Sequence, residues 1–198
     1  MDNPPTDEDV MPTPDETYQP GSSTPPIPAT LSPGLRHISD RGLELVKHFE
    51  ALYLKAYQDE VGIWTIGWGH TGLKHRDGTV YAGRVVTEPE AEALLKYDMN
   101  VFERRVDRLV SVPLNDDQYA AMVSFDFNTG GLEGSTLRKL LNGGDYGSVS
   151  AQLLRWDKAG GHRLKGLTRR RISEGRLFRG LADYICQLDD PELKAIYS

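Results

Sequence analysis

Glu50, Asp59 and Thr65 are the residues whose types and spacing could do chemistry together. A carboxylic acid can protonate a leaving oxygen while a second carboxylate, on the opposite face, activates a water or attacks the substrate itself. Cleavage of a glycosidic bond needs such a pair. Glu50 falls at the end of a helical pattern, Asp59 in a turn, and Thr65 on the strand that returns from it. A helix running into a hairpin can set all three on the walls of one cleft. Glu50 lies between Phe49 and Leu52, where partial loss of water would raise its pKa and keep it protonated. Asp59, in a polar turn, would stay ionised, and two carboxyls separated in this way form an acid/base assignment. The spacing alone is not specific, so the surrounding elements must carry the reading.

A helix begins at Ser39 or Asp40 and runs to about Glu50, with Leu43, Leu45, Val46 and Phe49 supplying its apolar face. From Tyr53 to Trp68 the pattern changes to short strands around Asp59-Glu60-Val61-Gly62. Gly62, Gly67, Gly69, Gly72 and Gly78 punctuate this region, which predicts a small antiparallel sheet with exposed loops. Thr87-Glu88-Pro89-Glu90 reads as a capping box with proline in the first turn, opening a long helix through Leu94, Met99, Phe102, Val106 and Leu109. Pro113 interrupts it. Asn115 with Gln118 starts another helix, carrying Met122, Phe125 and Phe127 toward Gly130-Gly131. Further helices are expected at about 136–142, 145–157, 167–179 and 181–187. The architecture expected is α+β, lysozyme-like, with a small antiparallel sheet lobe, a larger helical lobe and a substrate cleft between them.

Three segments resemble the active-site region of phage lysozymes, glycoside hydrolase family 24: His48-Phe49-Glu50, Lys55 to Asp59, and Trp64 to Thr71. Phe125-Asp126-Phe127-Asn128-Thr129-Gly130 is similar to the helix end of that family, as are Ser135-Thr136-Leu137 and Gly166 to Arg171 leading into Glu174 and Phe178. The resemblance covers about residues 38–180. It implies that Glu50 is the general acid, Asp59 the second carboxylate and Thr65 the residue that positions the attacking water. It also implies an inverting, endo-acting muramidase that cuts peptidoglycan between N-acetylmuramic acid and N-acetylglucosamine, with no cofactor. Tyr57, Trp68, His70 and Asn128 are expected to line the substrate site. A lytic transglycosylase, or a weakly active lysozyme-like module that binds peptidoglycan or a partner protein, are the alternatives. The family usually has Gly after the catalytic Glu; this chain has Ala51.

Composition narrows the setting. Residues 1–35 hold nine of the twelve prolines and six acidic residues with no Lys or Arg, so they account for the whole net charge of −6. Such a segment buries too little apolar surface to offset its ordering entropy, and it is expected to be a disordered leader to a catalytic domain over 36–198. Five scattered histidines and a single cysteine give no ligand spacing for a metal and exclude an internal disulfide. Cys186 is expected as a small apolar residue on a late helix. His70 could donate a proton, but a structural hydrogen bond closing the sheet is the stronger reading; of Trp64 and Trp68, one is expected in the core. The stretch 155–179 carries nine basic residues against Asp157 and Glu174. Lacking interleaved aromatics it does not point to nucleic acid, and a basic face attracted to the anionic envelope suits the muramidase reading. No signal peptide, signal anchor or span of 18 apolar residues is visible, which predicts a monomer held in the host bacterial cytoplasm until its release to the periplasm or cell wall.

Overall fold

The computed structural model describes residues 36–59, 61–71 and 80–198. The expected Pro-rich leader, with Glu60, Gly72 and Gly78, lies outside them. Helix α1 spans Asp40–Phe49, and Ser39 caps it by accepting from the Gly42 amide. Its apolar stripe packs Leu43, Leu45 and Val46 into the core. Strands β1 (Tyr53–Gln58) and β2 (Trp64–Gly67) form the antiparallel hairpin, pairing Tyr57 with Thr65 and Gln58 with Trp64. A register shift between Tyr53 and Tyr57 bends β1, and residues 84–86 lie along its other edge through Ala56 N–H to Arg84 O and Val86 N–H to Leu54 O.

Helix α2 (Glu88–Leu109) starts at the expected box: Thr87 accepts from the Glu90 amide, and the Glu90 carboxylate accepts from the Thr87 amide. Helix α3 (Asp116–Thr129) repeats the device with Asn115 and Gln118, and ends on Gly130 at φ 60°, where a side chain would be strained. Tyr119 to Asp126 are all buried, so α3 is enclosed on every side and runs through the middle of the helical lobe, touching α1 and α2. The approach to α1 is close: a Cβ at Gly42 would meet Ala120 Cβ at 2.6 Å. Then come α4 (Thr136–Asn142), α5 (Val149–Leu153) with a 3-10 turn over Leu154–Trp156, a minimal hairpin of β3 (Lys158–Ala159) and β4 (His162–Arg163), and α6 (Lys165–Phe178). Helix α6 packs on α3 and α5, while β2 rests on α2.

Two expectations change toward the end of the chain. Residues 181–187 are not helical; the last helix is α7 (Pro191–Tyr197), opened by Asp190 as cap with Pro191 in its first turn. Cys186 therefore sits in an irregular strap. It is still buried, among Ile172 and Leu193, and burial pushes its thiol up to about 11, so it packs as an apolar residue. The basic stretch is not a free cationic face either. Arg176 is paired with Asp190 and Glu192, Arg163 with Asp157, and Arg170 and Arg171 are buried. Asp190, Glu192 and Glu50 come from outside the stretch, so counting charges along it overstated the surface charge, while Arg155, Lys158, Lys165 and Arg179 remain exposed. Among the described residues, no helix is long and apolar enough to cross a membrane.

One ion-pair group ties the lobes and sets a pH dependence. Glu92 of α2 bonds Lys47 of α1 and Lys96 one turn on, and the Lys47 bond leads in holding its carboxyl down from 4.5 to about 2. A folded-state pKa below the unfolded value adds stability above the unfolded value, lost as pH falls through the folded one. Glu92→Gln is expected to lower the melting temperature at neutral pH and to converge on the native protein as pH falls from 4.5 to about 2. Glu92 is 35% exposed, so salt should shrink the difference. Parallel melting curves across that window would remove Glu92 as the cause.

Candidate active site

Glu50 terminates α1. Its amide still bonds Val46 O, but its φ of −104° and ψ of 143° turn the chain into extended geometry. The side chain leaves the helix end 27% exposed and meets Arg170 of α6, whose Nη1 donates to Glu50 Oε1 at 2.5 Å. This differs from the apolar, desolvated surroundings expected from Phe49 and Leu52. A guanidinium lies beside the carboxyl because α6 crosses the end of α1, a contact 120 residues apart in sequence. Ala51 follows in the exposed connector to β1.

Arg170 is itself 3% exposed and belongs to a buried network. Its Nε faces Glu174 Oε1 at 3.4 Å, Arg171 Nε faces Glu174 Oε2 at 3.1 Å, and Ser124 of α3 donates to Glu174 Oε1 at 2.8 Å. Arg171 Nη2 donates to Asn128 Oδ1 at 2.6 Å. Glu50, Arg170, Glu174, Arg171 and Asn128 are thus linked in series, joining the end of α1 to the end of α3 through α6. The two guanidiniums share the buried Glu174 carboxylate, and Arg170 has the Glu50 carboxyl as a second acceptor. The rings of Phe49 and Phe127 flank Arg170, each 5.9 Å from its guanidinium carbon. Sequence reasoning missed Arg170 as a site residue. The available signal was the i,i+4 and i,i+3 spacing of Arg170 and Arg171 to Glu174 within a helical pattern.

Asp59 sits at the hairpin tip, where its Oδ1 accepts from the Val61 amide at 3.0 Å and the Ile63 amide at 2.8 Å. Gly62, at φ 81°, lets the turn close. These amides hold the Asp59 carboxylate by fixed donors, as the polar turn suggested. Thr65, 4% exposed, donates its hydroxyl to Ile63 O at 3.2 Å, one strand position from the tip. Tyr57, opposite Thr65, is half-buried beside Tyr53, the ring centroids 4.3 Å apart. Its phenol is raised above 10, by burial first, then by Tyr53, Asp59 and Glu50. Strand β1 thus joins the end of α1 to the hairpin tip, with Tyr57 two residues before Asp59.

Two expected substrate contacts are placed elsewhere. Trp68 is 5% exposed, in the main core, with Lys47 Nζ 4.8 Å from the ring centroid. His70 is 2% exposed; its Nδ1 is 3.0 Å from Asp98 Oδ1 on α2, and its backbone exchanges both hydrogen bonds with Ile66. The end of the hairpin is packed inward, with the Trp68 ring in the core beside Lys47 of α1 and the His70 ring against Asp98 of α2. Trp64 is the more exposed tryptophan of the strand. Asn128, the remaining expected contact, is exposed. Among the described residues no cluster of His, Cys, Asp and Glu could hold a metal.

The Phage lysozyme family model matches residues 47–174, which spans Glu50, Asp59, Thr65 and the Arg170 network. The chain is 43% identical over 148 residues to an endolysin of Acyrthosiphon pisum secondary endosymbiont phage 1, covering 72% of this chain and 97% of that protein. It is 41% identical over 128 residues to the endolysin of Salmonella phage P22, covering 64% and 87%. A crystal structure of a P22 lysozyme mutant superposes with a TM-score of 0.67 at 40% identity, covering 73% of this chain and 99% of that one. The muramidase domain of SpmX from Asticaccaulis excentricus gives 0.65 at 36% identity, covering 72% and 98%. A match that runs through the hairpin and α6 alike, in sequence and in fold, means that the chain belongs to the phage lysozyme family.

Proposed function

We propose that this protein is an endo-acting muramidase that hydrolyses the β-1,4 bond between N-acetylmuramic acid and N-acetylglucosamine in bacterial peptidoglycan, with inversion at the anomeric carbon. The observation that carries the reading is Glu50 at the end of α1, held against Arg170, and Asp59 at the hairpin tip, held by backbone amides, within a chain of this family. Glu50 is the acid. Arginine only donates, so the Glu50 oxygen facing Arg170 must accept, and the transferable proton belongs on Oε2. Asp59 takes a proton from water as that water attacks the anomeric carbon, with Thr65 helping to position it. The bond to the leaving oxygen breaks as Oε2 gives up its proton. Glu50 is then a carboxylate, and Arg170, already in place, stabilises the charge as it develops. Solvent restores both protonation states. Tyr57 and Asn128 line the cleft on either side. The endolysin relatives support a wall-directed enzyme, and storage as a monomer in the host cytoplasm before release to the wall completes the proposal.

Product chemistry tests it. Digested peptidoglycan should yield muropeptides with reducing ends, seen by mass spectrometry, and fresh product should be the α anomer by NMR. Anhydro ends would make the protein a lytic transglycosylase, fresh β anomer would overturn inversion, and no cleavage would leave a binding module.

A further inference from the structure

Asn128 lies in the last turn of α3 with its side chain in the exposed class, yet its orientation is not free. Its Oδ1 accepts from Arg171 Nη2 at 2.6 Å. A guanidinium has no acceptor, so the amide cannot turn over without losing this bond and setting donor against donor. Arg171 is itself immobilised: it is 0% exposed, its Nε is 3.1 Å from Glu174, and its guanidinium carbon is 5.3 Å from the Phe125 ring centroid. With the oxygen committed inward, the half of Asn128 left for a ligand is the Nδ2 group, which can only donate.

We propose that Asn128 is a donor-only contact, binding an acceptor oxygen of the glycan strand, and that Arg171 is the positioning residue that makes it so. The inference rests on the muramidase reading above. It goes further by naming the polarity of the contact and the residue that sets it. Glu174, which holds Arg171, also holds Arg170, whose far side bonds Glu50. The donor at the end of α3 and the acid at the end of α1 are therefore placed relative to one another by one buried carboxylate. The acceptor oxygens of the glycan fall into two groups: the acetamido carbonyls, which N-deacetylation removes, and the lactyl, hydroxyl and ring oxygens, which it leaves.

Asn128→Asp separates this role from a structural one. A carboxylate keeps the bond to Arg171 and makes it charge-assisted, so the melting temperature should hold or rise, but the ligand now meets an acceptor. The expected result on acetylated peptidoglycan is KM raised about tenfold, the size of one lost hydrogen bond, with kcat kept within about twofold. The same assay on N-deacetylated peptidoglycan identifies the source. If the acceptor is the acetamido carbonyl, the native protein weakens there and the penalty of the variant vanishes, because its carboxylate meets an ammonium. If it is one of the oxygens that deacetylation leaves, the penalty is the same on both substrates. Either outcome supports a donor-only Asn128. A variant with native KM on both substrates overturns it. Failure of the native protein to release reducing ends would sink the muramidase reading instead; sedimentation of the same two proteins with intact sacculi would then read the Asn128 contact by binding, and equal binding would overturn it.

Discussion

Glu50→Gln is expected to slow turnover of peptidoglycan about a thousandfold while leaving the protein folded, since a positioned general acid contributes roughly 10²–10⁴. The amide of glutamine cannot supply the proton for the leaving oxygen. It does keep an acceptor for Arg170, because its Oε1 can occupy the place of the carboxylate oxygen 2.5 Å from Nη1. Arg170 also retains Glu174, so the change leaves no cation without a partner carboxylate. The melting temperature should therefore move by only a few degrees. Single-turnover release of reducing ends, measured beside thermal melts, checks both halves. Clearing of permeabilised cells at equal rates by both proteins would sink Glu50 as the acid. A loss of activity accompanied by unfolding would assign the residue to structure rather than chemistry.

Glu174→Ala should produce the largest loss of stability. The carboxylate is fully buried between Arg170 and Arg171 and also receives the Ser124 hydroxyl. Removing one member of such a cluster leaves like charges uncompensated, at a cost of about 3–5 kcal/mol, or roughly 10 °C for a domain of this size. Burial already disfavours the charged form of Arg171 and pushes its pKa down, and Glu174 is the first influence opposing that shift. Activity should fall as well at temperatures where the variant is folded, because Arg170 loses the partner that aims it at Glu50. Glu174→Gln, which keeps the shape and the Ser124 bond, should lie between the native protein and the alanine variant on both scales. A melting temperature for Glu174→Ala within about 2 °C of native, a shift of less than 1 kcal/mol, would show that the cluster contributes little net stability.

Much of this protein was legible in its residues because the determinants are local. The cap at Ser39, the boxes at Thr87 and Asn115, the αL glycine at 130 and the Asx-type turn at Asp59 each depend on groups within four residues, and each formed where its signal stood. The last helix opens at Asp190-Pro191, whereas the sequence pattern places its final helix at 181–187 instead. What sequence order alone determined was most of the elements, though not β3, β4 or α7, and the location of Glu50 at a helix end and Asp59 at a hairpin tip. Tertiary structure decided which side chains those elements present. It gave Glu50 an arginine partner from α6, buried Trp68 in the core and His70 against Asp98 of α2, and paired or buried Arg163, Arg170, Arg171 and Arg176 of the basic stretch. The reason is that hydrogen bonds within a turn are set by backbone geometry over a few residues. Desolvation and charge balance depend instead on whatever the folded chain brings within a few ångströms, and here that came from as far as 120 residues away.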